Sequence, residues 1–211
     1  MMQRFSSLIT ILALAIASFA LTSASPLPPP QAHEPTLLTI DELKAAANGS
    51  CPTQTSGELL ACEDALPYIN DAINKYKLVT RGQRAAYIST MLFESGHLRF
   101  NHNLVNPTQG TRSMLPQENL QRFVDANSDV QKIVATYPAS KLVVDILIES
   151  RLDFQPGAWW TVSGPGCPDR AATLDGSSNN FLLWEIECIG GGIETLEQRT
   201  ALFGLAYQSI H

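Results

Sequence analysis

Glu94, followed by Ser95-Gly96 and then by a segment rich in Asn, His, Gln and Gly, is the residue of this chain best suited to proton chemistry. A carboxyl group held in apolar surroundings at a helix C-terminus stays protonated near neutral pH. In that state it can give a proton to a leaving oxygen, such as that of a glycosidic bond. Two effects are expected to keep Glu94 in the neutral form: desolvation among Tyr87, Met91 and Phe93, and the negative end of its helix dipole. The dipole supplies only about 0.3–1 kcal/mol, so burial must supply most of the effect. Two competing expectations are a surface Glu94 paired with Arg99 or Arg112, and a buried Glu94 that only braces the following loop.

Other residues are available for the remaining roles. Glycoside hydrolysis usually pairs the acid with a second carboxylate, for which the chain offers Asp125, Asp145 and Asp153. The first two fall within helical patterns, where solvation is expected; Asp153, shortly before a tryptophan pair, is the best placed. Asn101, Asn103 and Gln109 can orient a water or hold sugar N-acetyl groups, or else satisfy loop backbone groups. Trp159 and Trp160 offer flat faces for a pyranose, or pack in the core with their N–H groups bonded. Arg112 either touches substrate or fixes its loop by pairing with a carboxylate. His97 and His102 lack the helical His-Glu-x-x-His spacing, so no metal is expected. No cofactor is expected either, and no nucleophilic triad surrounds Ser95 or a cysteine.

The element that must hold Glu94 is well marked. Thr80 and Gln83 make a capping box, and Gly96 can end a helix in the left-handed conformation. Ala85, Ile88 and Leu92 line one face while Tyr87 and Met91 make the other apolar, which predicts a central, buried helix. Helical patterns also cover 38–48, 67–78, 117–127, 139–149, 181–188 and 196–210. The Gly/Ser/Pro-rich stretch 163–180 reads as a loop. Alternating strand patterns are scarce, so the domain at 37–211 is expected to be mainly α, built around that central helix.

Arg4 ahead of an apolar run at 8–21, with Thr22-Ser23-Ala24 behind it, reads as a secretory signal peptide over 1–24. A proline-rich leader follows at 25–36. Without Arg4 the chain carries 13 basic and 20 acidic residues, a net charge of −7, which argues against nucleic acid as a partner. A soluble, exported monomer with no membrane association is expected. Four cysteines in such a chain favour two disulfides, Cys51–Cys62 and Cys167–Cys188, each joining neighbours and stapling a loop to a helix. Asn48-Gly49-Ser50 is a glycosylation sequon; the proline in Asn106-Pro107-Thr108 disqualifies that triplet.

With Glu94-Ser95-Gly96 and Gln109-Gly110-Thr111-Arg112-Ser113-Met114 both present, the chain resembles fungal secreted lysozyme-like proteins. More distantly it is similar to the lysozyme superfamily, which includes goose-type lysozymes, lytic transglycosylases and plant-type chitinases. The fungal-type likeness runs from about residue 62 to the C-terminus and takes in the Trp pair and Cys188-Ile189-Gly190; the superfamily likeness covers 85–114. The resemblance implies a lysozyme-like helical fold, Glu94 as general acid, and a cleft for β-1,4-linked amino sugars past Gln109, Gly110 and Met114. The expected function is a secreted glycoside hydrolase or lytic transglycosylase-like enzyme acting on peptidoglycan, chitin or chitosan. The alternative is a non-catalytic secreted glycan-binding or host-interaction protein on the same fold.

Overall fold

A computed structural model describes residues 34–211, so the expected signal peptide and most of the leader lie outside the described residues. The described chain is mainly helical: α1 Ile40–Ala46, α2 Cys62–Lys75, α3 Arg81–Glu94, α4 Gln117–Ala126, α5 Ser128–Val134, α6 Val143–Glu149, α7 Gln155–Ser163, α8 Cys167–Ala172, α9 Ser178–Trp184 and α10 Leu196–Ser209. A π-turn, Glu185–Ile189, extends α9, and a 3-10 turn, Ile193–Thr195, leads into α10. Among the described residues no helix is long and apolar enough to cross a membrane.

The centre is α3. Its capping box forms as the sequence predicts: the Thr80 hydroxyl accepts from the Gln83 N–H at 3.1 Å, and the Gln83 side chain accepts from the Thr80 N–H. Every residue from Arg84 to Leu92 is buried. Against α3 lie α10, α7 and α8, and α10 is also covered by α1 and α9. The stacked rings of Phe181 and Phe203, 4.2 Å apart, join α9 to α10. The Tyr87 hydroxyl donates to the Phe154 carbonyl at 3.0 Å and ties α3 to the start of α7.

Both disulfides form as paired above, with Cα separations of 5.6 Å for Cys51–Cys62 and 4.8 Å for Cys167–Cys188. The first anchors the loop after α1 to the start of α2, and the second ties α8 to the π-turn. By loop-closure entropy each contributes about 3 kcal/mol.

Three boundaries differ from the sequence reading. Helix α2 begins at Cys62, five residues before Pro67, which the sequence places near a first turn. Pro67 lacks an N–H for the Glu63 carbonyl, but Glu63 is exposed and water can serve it. The stretch expected as a loop at 163–180 holds α8, with Pro168 in its first turn where the missing N–H costs nothing. Helix α6 is shorter than 139–149, because Pro138 starts a turn to the Lys141 N–H rather than the helix.

Candidate active site

Glu94 is the last residue of α3, and the chain reverses directly behind it. The Gly96 N–H bonds the Phe93 carbonyl and the His97 N–H bonds the Leu92 carbonyl, the paired bonds of a Schellman ending. Gly96, His97 and Leu98 all have positive φ, at 56°, 58° and 67°. For His97 and Leu98 this costs on the order of 1–2 kcal/mol each. Ser95 secures the turn: its hydroxyl donates to the Met91 carbonyl at 2.7 Å and accepts from the Leu98 N–H at 2.9 Å. Leu98 itself is fully buried.

The segment after this turn forms the outer wall. His102 pairs with Gly110, and Gly110 with Leu115, in isolated antiparallel bridges. A Cβ on Gly110 would lie 2.4 Å from the Asn101 carbonyl oxygen, so only glycine lets these segments approach. Glu94, Phe100, His102, Asn103, Leu104 and Met114 line a cavity of about 260 Å³. Glu94 is the only carboxylate among them, and its side chain is 22% exposed. Leu104 stands 80% exposed at the lip. A larger concavity, about 800 Å³, lies elsewhere, between α9 and α10. Its one titratable lining residue is Glu197, so it offers no acid–base constellation.

Glu94 pairs neither with Arg99 nor with Arg112. Its partner is Arg199 of α10, whose Nη2 donates to Glu94 Oε1. Arg199 is itself nearly buried; its guanidinium lies 4.2 Å above the Phe93 ring, and its Nε donates to the Thr195 hydroxyl at 3.0 Å. A cation here also faces the carbonyl end of α3, where the helix dipole favours positive charge. The Nη1 of the same guanidinium lies 3.5 Å from Oε2 of Glu185, too far for a hydrogen bond.

Glu185 is the carboxyl that the sequence reading missed. It is fully buried in the π-turn, and its Oε1 accepts from the Thr90 hydroxyl of α3 at 3.0 Å. Burial pushes it up from 4.5 to about 7, and the Glu94 charge adds to this, while Arg199 and Thr90 pull the other way. A Cβ on Gly191 would sit 2.7 Å from Glu185 Oε2, which makes glycine the residue that fits beside this carboxyl. The sequence carried a signal for both partners. Glu185 falls on the apolar stripe of Phe181, Trp184 and Cys188, and Arg199 on that of Phe203 and Ala206. Opposite charges on two buried stripes must find each other.

The other candidates separate into wall and support. Asn103 lines the cavity, with its Oδ1 accepting from the N–H groups of Val105 and Asn106. Gln109 donates to the Met114 carbonyl at 2.7 Å and so holds a wall residue. Asn101 is buried, with its Oδ1 2.9 Å from His102 Nδ1. The His102 ring stands between two carboxylates, with Glu58 Oε1 3.3 Å from Nδ1 and Asp145 Oδ1 3.0 Å from Nε2. Burial opposes the charge on Glu58, but the N–H groups of Asn101 and His102 and the His102 ring outweigh it and hold its carboxyl below the ordinary value. Among the described residues no group of three or more His, Cys, Asp or Glu side chains could hold a metal ion.

Asp153 was the best-placed second carboxylate by sequence, and the structure gives it another task. It is buried and pairs with Arg112 Nε at 3.1 Å, while Arg112 Nη1 donates to the carbonyls of Leu98 and Phe100. Burial raises Asp153 and lowers Arg112, their mutual attraction opposes both shifts, and the pair locks the turn behind Glu94. Arg112 is therefore a loop anchor rather than a substrate contact. Asp125 is exposed and accepts from Gln121. Asp145 alone of the three reaches the cavity wall, through His102.

The tryptophans also prove to be packing residues. Trp160 is buried and its indole donates to the Cys188 carbonyl at 3.1 Å. Trp159 is half-buried, packed edge-on against Phe123 and Trp160. Neither lines the cavity beside Glu94, so neither offers a sugar-stacking face there.

No protein-family profile, curated protein or solved structure matches this chain.

Proposed function

We propose that the protein is an exported glycan-cleaving enzyme of lysozyme-like fold, acting on β-1,4-linked amino-sugar polymers with Glu94 as the group that protonates the leaving oxygen. The observation that carries this reading is the setting of Glu94: the only carboxylate lining a cavity beside the buried central helix, with a guanidinium behind it. A general acid becomes a carboxylate as it gives up its proton. Arg199 stands where that negative charge develops, and a charge already in position costs no reorganisation at the moment of transfer. His102, held between Glu58 and Asp145, forms part of the wall of the same cavity.

A test is turnover on peptidoglycan, chitin and chitosan with Glu94→Gln. The variant keeps the shape and loses the proton, and positioned proton transfer contributes about 10²–10⁴-fold, so a loss of at least about 100-fold is expected. Unchanged turnover would remove Glu94 from the role. One observation favours a second reading, a non-catalytic glycan-binding protein: Glu94 is tied into an ion pair, and no second carboxylate lines its cavity. That reading predicts binding of a chitin oligomer with no product released.

A further inference from the structure

Asn48 and Ser50, the two defining residues of the glycosylation sequon, line a groove with Phe93, His97, Leu202 and Leu205. Its volume, about 470 Å³, lies within the roughly 300–1,000 Å³ typical of small-molecule sites. None of its lining residues is an Asp, Glu, Lys or Arg. Burial, reinforced by Arg99, lowers His97 from its ordinary value, so the imidazole too is neutral near pH 7.

The acceptor is presented by the way α1 ends. The Asn48 N–H bonds the Ala45 carbonyl and the Gly49 N–H bonds the Lys44 carbonyl, with φ of 50° and 71° at the two residues. This is a Schellman ending with Asn in the left-handed position that asparagine tolerates. Asn48 is exposed, and among the described residues its carboxamide makes no hydrogen bond. The turn thus leaves a free amide at the rim of an uncharged, largely apolar trough.

We propose that Asn48 carries an N-linked glycan whose first N-acetylglucosamine lies in the groove between the end of α1 and α10. In the transfer, the Asn48 amide nitrogen bonds the anomeric carbon of a lipid-diphosphate-linked oligosaccharide. The anomeric C–O bond breaks, the lipid diphosphate leaves with the electron pair, and the amide gives up one proton. The seated pyranose covers Leu202, Leu205 and Phe93 with its apolar face, and Gln198 is within the groove to meet its polar groups. Such a sugar stabilises the fold by removing half-exposed apolar surface from water.

The test uses the full chain secreted from a eukaryotic host. Intact mass should fall by one glycan on treatment with peptide N-glycosidase, and the shift should be absent in Asn48→Gly and Ser50→Ala. Both substitutions suit the turn: glycine accepts the positive φ, and Ser50 contributes only its backbone there. Trimming the glycan to a single N-acetylglucosamine should leave Tm about 2–4 °C above that of Ser50→Ala. Ala201→Glu, which puts a charge on the exposed groove floor, should abolish that gain while leaving the mass shift. No mass shift in the wild-type chain overturns the site. A mass shift with no Tm difference, or with a difference that Ala201→Glu leaves intact, overturns the seating.

Discussion

Replacing Glu185 with Gln isolates the energetics of the buried carboxyl. Glutamine keeps the oxygen that accepts from Thr90 and removes only the ionisation. A carboxyl that titrates at about 7 folded, against 4.5 ordinarily, binds more protons in the folded than in the unfolded chain between those values. Its raised value therefore leaves stability untouched below 4.5 and erodes it as pH climbs through 7. At 1.36 kcal/mol per pH unit, the full erosion is on the order of 3 kcal/mol. Urea unfolding of wild type and Glu185→Gln from about pH 4 to about pH 8 reads this directly, because other groups cancel in the difference. The wild type should lose about 3 kcal/mol relative to the variant over that span, with unchanged m. A constant difference would refute the reasoning, and a wild type that gains on the variant as pH rises would make Glu185 a stabilising carboxylate.

Two further outcomes follow from the supporting residues. Asp153→Ala leaves Arg112 as an uncompensated buried charge and should cost about 3–5 kcal/mol in urea unfolding; a cost under about 1 kcal/mol would mean the pair is not what locks the turn. Trp160→Ala should cost about 3–5 kcal/mol of stability by leaving a cavity. By calorimetry it should leave chitin-oligomer affinity per folded molecule unchanged, and a selective loss of affinity would restore Trp160 to a binding role.

The parts of this fold that were legible in the sequence rest on local signals. Thr80 and Gln83 announce the start of α3, its apolar circumference announces its burial, and four cysteines in neighbouring pairs announce the staples. What escaped depends on which faces meet. Asp153 and Arg112 are 41 residues apart, and only the packing of α7's approach against the post-Glu94 turn joins them. The link from Glu94 to Arg199 spans 105 residues. The sequence puts Glu94 at a helix end, but the amount of water left on it depends on α10, whose buried arginine was readable only as a misplaced charge. Asp145 illustrates the same limit: helical periodicity places it on a solvated face, and the structure sets it against His102, a cavity-wall residue from a distant loop. Proline misled in both directions, since Pro67 sits inside α2 and Pro168 opens α8.

The most direct measurement is mass spectrometry of the products from a defined β-1,4-linked amino-sugar oligomer incubated with wild type and with Glu94→Gln. The account predicts shortened oligomers from the wild type, with either a free reducing end or a 1,6-anhydro end, and about 100-fold less or lower product from the variant. Equal product from both proteins, or intact oligomer with the wild type on peptidoglycan, chitin and chitosan substrates alike, would contradict it.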